Sequence, residues 1–155
     1  MYLILIDHMG EKFKKEGFLS KSTGAFLLAL QNFTSLTKHE IEIIYQLRNS
    51  FLHQFNLYNL PQNKKFDPRH FVVHRGSPLI TLPLVNFEGN LADINADNAT
   101  LISLVEIGDM VEEMISNLKQ LLTNDQLIVN TEIEGHKYSV VELLSANTFC
   151  YQANP

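Results

Sequence analysis

From Thr37 onward the chain carries a long run of apolar residues at helical spacing. Ile41, Ile44, Phe51, Phe55 and Tyr58 return every three or four residues or at multiples of that step, and Pro61 ends the pattern. Thr37-Lys-His-Glu40 supplies the opening signal, a capping box in which Thr37 accepts from the N3 amide and Glu40 reaches back. The spacing predicts a helix over 37–59, long enough to be the spine of a bundle. A second stripe, Leu101, Leu104, Val105, Met110, Val111, Met114, Ile115, Leu118 and Leu122, predicts a helix over 99–123, capped by Asp97 or Asn98. Each stripe needs another apolar surface to cover it, so the two helices are expected to pack on each other.

Residues 1–16 read two ways. Tyr2–Ile6 suits a strand, while Ile6, Met9 and Phe13 at three- and four-residue steps favour a helix that Gly17 stops. Residues 20–33 read as a helix with Phe26, Leu27, Leu30 and Phe33 inward. Residues 62–69 read as a loop, and residues 71–87 as a β-hairpin turning at Gly76-Ser-Pro78, with Pro83 at an edge or bulge. Residues 88–98 form another loop. In the tail, Leu127–Val129 and Tyr138–Val141 flank Glu134-Gly135 as a small hairpin, with a short helix over 139–146 as the alternative. The expected fold is mainly α: about four bundled helices, an inserted β-hairpin and a small mixed C-terminal tail, in a single domain over 1–155.

Composition narrows the function classes. A net charge of -5 disfavours a protein built for duplex DNA. The single cysteine, Cys150, rules out an internal disulfide and a cysteine zinc cage, and suits a reducing compartment. The opening apolar run is too short for a signal-peptide core, and nowhere do about 18 apolar residues run together. No membrane partner is expected, and the expected location is cytoplasmic. No phosphate loop, dinucleotide fingerprint or serine or cysteine nucleophile pattern occurs, and no cofactor is expected.

Within the helix over 37–59 lies Tyr45-Gln-Leu-Arg-Asn-Ser-Phe-Leu-His-Gln-Phe55, which contains Arg48-Asn49-x-x-x-His53. This segment resembles the R-N-x-x-x-H signature of the HEPN superfamily, helical-bundle proteins that include many metal-independent ribonucleases of toxin–antitoxin, abortive-infection and CRISPR systems. One branch of that superfamily carries a tyrosine two residues after the histidine; here that position is Phe55. The resemblance covers this helix and the general helical layout. It implies a HEPN-like endoribonuclease of bacterial defence or toxin type, with Arg48 as phosphate clamp and His53 as general acid–base residue. It further implies a homodimer through the helix over 37–59, in which two motifs share one groove, and an antitoxin protein as a further partner. A non-catalytic HEPN-like module binding RNA, a nucleotide or a protein is the alternative.

The residue types suit cleavage of RNA without a metal, in which the 2′-hydroxyl attacks the adjacent phosphate. Histidine titrates near neutrality and serves as acid or base; arginine stays charged and grips phosphate through its planar fork. Asn49, four residues before His53, would orient the imidazole or contact substrate. On an ideal α-helix positions 48 and 53 stand about 140° apart, so Arg48 must reach sideways or the helix must bend. Ile43 and Leu57, away from the main apolar arc, are the side chains such a dimer would cover. The bland reading makes Arg48 structural, paired with Glu106 or Asp109, and His53 a surface residue.

Lys64, Lys65, Arg69 and Arg75 form a basic stretch that would line an RNA groove, with Phe66 or Phe71 for base stacking, or would only be a solvated loop. Tyr58 would contact substrate or belong to the core. His70 and His74 share a spacing of four; on a strand that separates them by about 13 Å, so no metal site is expected.

Overall fold

A computed structural model describes residues 2–17, 24–54, 56–61, 66–129, 132–133 and 136–137, with the side chains of His53, Gln54, Glu132, Ile133, His136 and Lys137 outside that description. Helix α1, Tyr2–Lys12, buries Ile6 and Met9 and runs straight into a short strand, β1, Phe13–Lys15. The helical alternative therefore holds for 2–12 alone. Helix α2, Ala25–Phe33, buries Phe26, Ala29, Leu30 and Phe33; of the helix expected from residue 20, residues 20–23 lie outside the described residues. Gly10 makes the α1–α2 contact: a Cβ there would overlap the carbonyl of Ala25.

Helix α3, Lys38–Asn49, opens on the predicted capping box. The Thr37 hydroxyl accepts from the Glu40 amide, while the Thr37 amide and hydroxyl donate to the Glu40 carboxylate at 2.8 and 2.7 Å. The helix does not run to residue 59. It widens into a π turn over Ser50–Gln54 and then leaves as an extended segment whose strand β2 is Tyr58–Asn59. Ser50 gives one cause: its hydroxyl donates to the Gln46 carbonyl at 3.0 Å, a bond to the preceding turn that bends helices.

Strands β3, Arg69–His74, and β4, Ile80–Thr81, do not pair with each other. Both pair with β5, Ala99–Ser103, which the apolar spacing had placed inside the last helix. The sheet order is β2-β3-β5-β4, with β3 and β5 parallel and both outer pairs antiparallel. The expected β-hairpin over 71–87 is thus a β3–loop–β4 arrangement split by an inserted central strand. Helix α4, Leu104–Thr123, starts only after β5 because Ser103 is its cap, its hydroxyl accepting from the Glu106 amide at 3.2 Å. Strand β6, Leu127–Val129, returns to pair antiparallel with β1. Strands β7, Glu132–Ile133, and β8, His136–Lys137, pair antiparallel, so the expected arm Leu127–Val129 pairs with β1 instead. Tyr138–Val141, the alternative helix over 139–146 and Cys150 lie outside the described residues.

The mainly helical bundle is therefore corrected to a mixed α/β arrangement. The principal helix pair is α1 with α2, while α3 meets α2 and the β2 edge. The expected α3–α4 spine pair does not form the centre. Both helices instead contribute to one apolar cluster, in which Ile44 and Leu47 join Phe71, Ile102, Val111 and Met114.

Two outcomes follow from this packing. Gly10→Ala should cost more than the ~1–3 kcal/mol of ordinary overpacking, because backbone rather than a side-chain tip stands in the way; urea denaturation reads it. Thr37→Ala should cost about 1 kcal/mol at neutral pH. The hydrogen bonds from the Thr37 side chain, then from its amide, hold the Glu40 carboxyl below its ordinary 4.5. A depressed carboxylate contributes stability above its unfolded value and loses it as pH falls through the folded one. The gap between wild type and Thr37→Ala should accordingly narrow below about pH 4.5 in acid titrations of stability.

Candidate functional site

The end of α3 carries the Arg48-Asn49-x-x-x-His53 segment. Arg48 and Asn49 are its last α-helical residues, and the backbone of His53 lies within the π turn. Hydrogen bonds in such a turn run from i to i+5, so each residue in it turns through less than in an α-helix.

The Arg48 side chain is held at three sides. Its Nε and Nη2 donate to the same oxygen, Oδ2 of Asp7, at 3.1 and 2.9 Å, and its Nη1 donates to Oδ1 of Asn49 at 3.2 Å. The guanidinium also lies 5.9 Å from the centre of the Phe26 ring. Both Arg48 and Asp7 side chains are 19% exposed, so the pair is largely, not wholly, removed from water. The structural partner is thus Asp7 on α1, not Glu106 or Asp109 on α4. Asp7 shares a helix face with Leu3 and Gly10, and an acid on an apolar face was the signal that could have disclosed it.

The remaining sequence-predicted site residues do not gather around Arg48. Tyr58 lies on β2, half-buried and opposite His70 of β3. Arg69 opens β3 and is half-buried. Its Nη1 reaches Oγ1 of Thr100 at 3.4 Å, and its Nε has no hydrogen-bond partner. Burial pushes its guanidinium below the ordinary value, against the opposing pull of Asp67 and Glu42. Arg69 is thus partly desolvated, and it lines a small cavity with Phe87, Glu88 and Asn98. Arg75 is exposed just past the other end of β3, about 20 Å along the strand from Arg69. Lys64 and Lys65 lie outside the described residues. Phe71 is fully buried, which removes it from base stacking, and Phe66 packs its ring 6.0 Å from that of Tyr45. Ile43 is fully buried and Leu57 packs against the same core, so neither is left over for a dimer interface.

Sequence reasoning passed over several buried polar side chains. Gln46 is 2% exposed with its Oε1 unpartnered, and Ser50, Asn59 and Thr100 are buried too. Glutamine on the inner face of an amphipathic helix was the available signal. A second feature is an apolar groove of about 420 Å³ beside the π turn, lined by Leu3, Ile4, Leu47, Phe51, Leu104 and Ile107 among others. His70 and His74 both sit on β3; His70 meets the ring of Phe87, and His74 Nδ1 accepts from the Gly76 amide at 3.0 Å. Among the described residues no three of His, Cys, Asp and Glu gather closely enough to hold a metal ion, and no helix is long and apolar enough to cross a membrane.

No protein-family model, no curated protein and no solved structure matches the chain.

Removing Asp7 leaves a largely buried guanidinium without its carboxylate. Asp7→Ala should lower stability by about 2 kcal/mol, below the ~3–5 kcal/mol of a fully buried pair because both groups keep some contact with water. Chemical denaturation of the two proteins measures the difference.

Proposed function

We propose that this protein is a metal-independent endoribonuclease of bacterial defence or toxin type, acting in the cytoplasm, with Arg48 and His53 as its catalytic residues. The π turn over Ser50–Gln54 supports the reading, because a wider turn leaves positions 48 and 53 less far apart around the axis than an α-helix would. Arg48 would hold the scissile phosphate, and His53 would exchange the proton of the attacking 2′-hydroxyl or of the leaving 5′-oxygen. The likeness to HEPN proteins rests on this segment alone, since the fold around it is mixed α/β. Asp7 now occupies the Nε–Nη2 edge of Arg48, so substrate phosphate has to displace it from there. A two-fold dimer would supply the second histidine. The apolar groove beside the π turn, with exposed Tyr2, Ile4 and Leu104 on its rim, supports pairing at this end of the molecule rather than along Ile43.

The Arg48–Asp7 pair itself favours a second reading, a non-catalytic module in which Arg48 is structural and RNA, a nucleotide or a protein is merely bound.

The test is cleavage of single-stranded RNA in excess chelator. The ribonuclease reading expects product ends with a 2′,3′-cyclic phosphate, lost in both His53→Ala and Arg48→Ala. His53→Ala should leave the thermal melt in place. Cleavage that needs one divalent ion, or that survives His53→Ala, overturns this assignment; no cleavage at all leaves the binding module.

A further inference from the structure

We propose that the loop over 82–98 is a docking surface for a cationic protein segment, one that mixes apolar side chains with lysine or arginine. Leu82, Leu84, Val85, Leu91 and Ile94 all stand exposed on it, Leu84 to 85%. Five large apolar side chains in water on one short loop need a reason beyond the monomer's own packing.

The loop is not loose. The amides of Leu84 and Val85 both donate to the Asp97 carbonyl, at 2.8 and 3.1 Å, which ties its outgoing and returning limbs together. Asn90 accepts from the Ala92 amide, Asn95 from the Asp97 amide, and Asn98 donates to the Asp93 carbonyl at 2.8 Å. Phe87, buried, anchors the middle of the loop with its ring against His70. Gly89, at φ +89, provides the left-handed turn that follows. The apolar side chains therefore sit on a preformed platform, and binding to it does not have to order the loop.

Charge identifies the occupant. Between Arg75 and Lys119 the sequence contains no lysine, arginine or histidine, yet it contains seven acids, of which Glu88, Asp93 and Asp97 lie in this loop and are exposed. The same sign on nucleic acid or on an anionic membrane repels such a surface. A second copy of the loop would set acid against acid. A polypeptide carrying lysine or arginine beside apolar residues matches both features, its apolar groups covering Leu84 and Val85 and its cations facing the acids. The surface does not involve Arg48 or His53 and stands apart from the ribonuclease reading.

The experiment uses the full chain and two short synthetic peptides of identical leucine and valine pattern, one with lysine and one with glutamate at every polar position. Calorimetric titration should show binding of the lysine peptide, weakening as salt is raised, and none of the glutamate peptide. Leu84→Ser with Val85→Ser leaves the net charge unchanged and alters only exposed side chains, which an unshifted thermal melt verifies. That variant should bind the lysine peptide at least about tenfold more weakly. Equal binding by wild type and variant, or equal binding of both peptides, overturns the proposal. So does a change in molecular mass between wild type and variant, which would make a second copy the occupant.

Discussion

Strand Ala99–Ser103 is hydrogen-bonded along both edges and buried on both faces, with Leu101 alone half-exposed. Among the described residues it is, besides β3, the only strand of its sheet with a partner of each orientation, and it sits at the sheet's interior. Its parallel partner Arg69–His74 is set by it, and so is the short antiparallel strand Ile80–Thr81 on its other side. The Ser103 that ends it is the cap of the longest helix, so the direction of that helix is decided by where the strand stops. Inward from it, Ile102 joins the cluster to which α3 contributes Ile44 and Leu47. Losing this strand would leave Ile80–Thr81 without a partner, Arg69–His74 paired on one edge only, and a helix without its start.

Much of the local structure could be read in the residues. Thr37 and Glu40 announced the start of α3, and the stripe from Leu104 to Leu118 announced α4, since both signals act within a turn or two of the chain. The central strand could not be read so easily. Leu101 and Leu104 fall at helical spacing, and the periodicity rule extended the helix across them. Ser103-x-x-Glu106 and the β-branched Thr100 and Ile102 were the contrary signals. The π turn was hidden for another reason, because Ser50 looks like any polar residue until its hydroxyl is seen on the Gln46 carbonyl. The split hairpin was the least accessible feature, since two strands close in sequence gave way to a third that lies far along the chain.

The candidate site divides the same way. The Arg48–His53 spacing was visible in the sequence, but the partner of Arg48 lies forty-one residues earlier on another helix. Asp7 both orients and neutralises the guanidinium, and those two effects point to different roles. Orientation serves a phosphate clamp; neutralisation serves a buried structural contact. Of the basic stretch, Arg69 is half-buried at the start of its strand and Arg75 is exposed past the far end.

The pairing of Phe13–Lys15 with Leu127–Val129 has its own consequence for synthesis of the chain. These strands lie more than one hundred residues apart, so as the polypeptide emerges from the ribosome the first of them waits for nearly the whole sequence. Until then α1 and α2 can close on each other at Gly10, but the edge that follows α1 stays unpaired, next to an exposed apolar helix face. An early helical pair with an open strand edge is the species that a chaperone would meet, and the arrival of Leu127–Val129 is the event that ends its exposure.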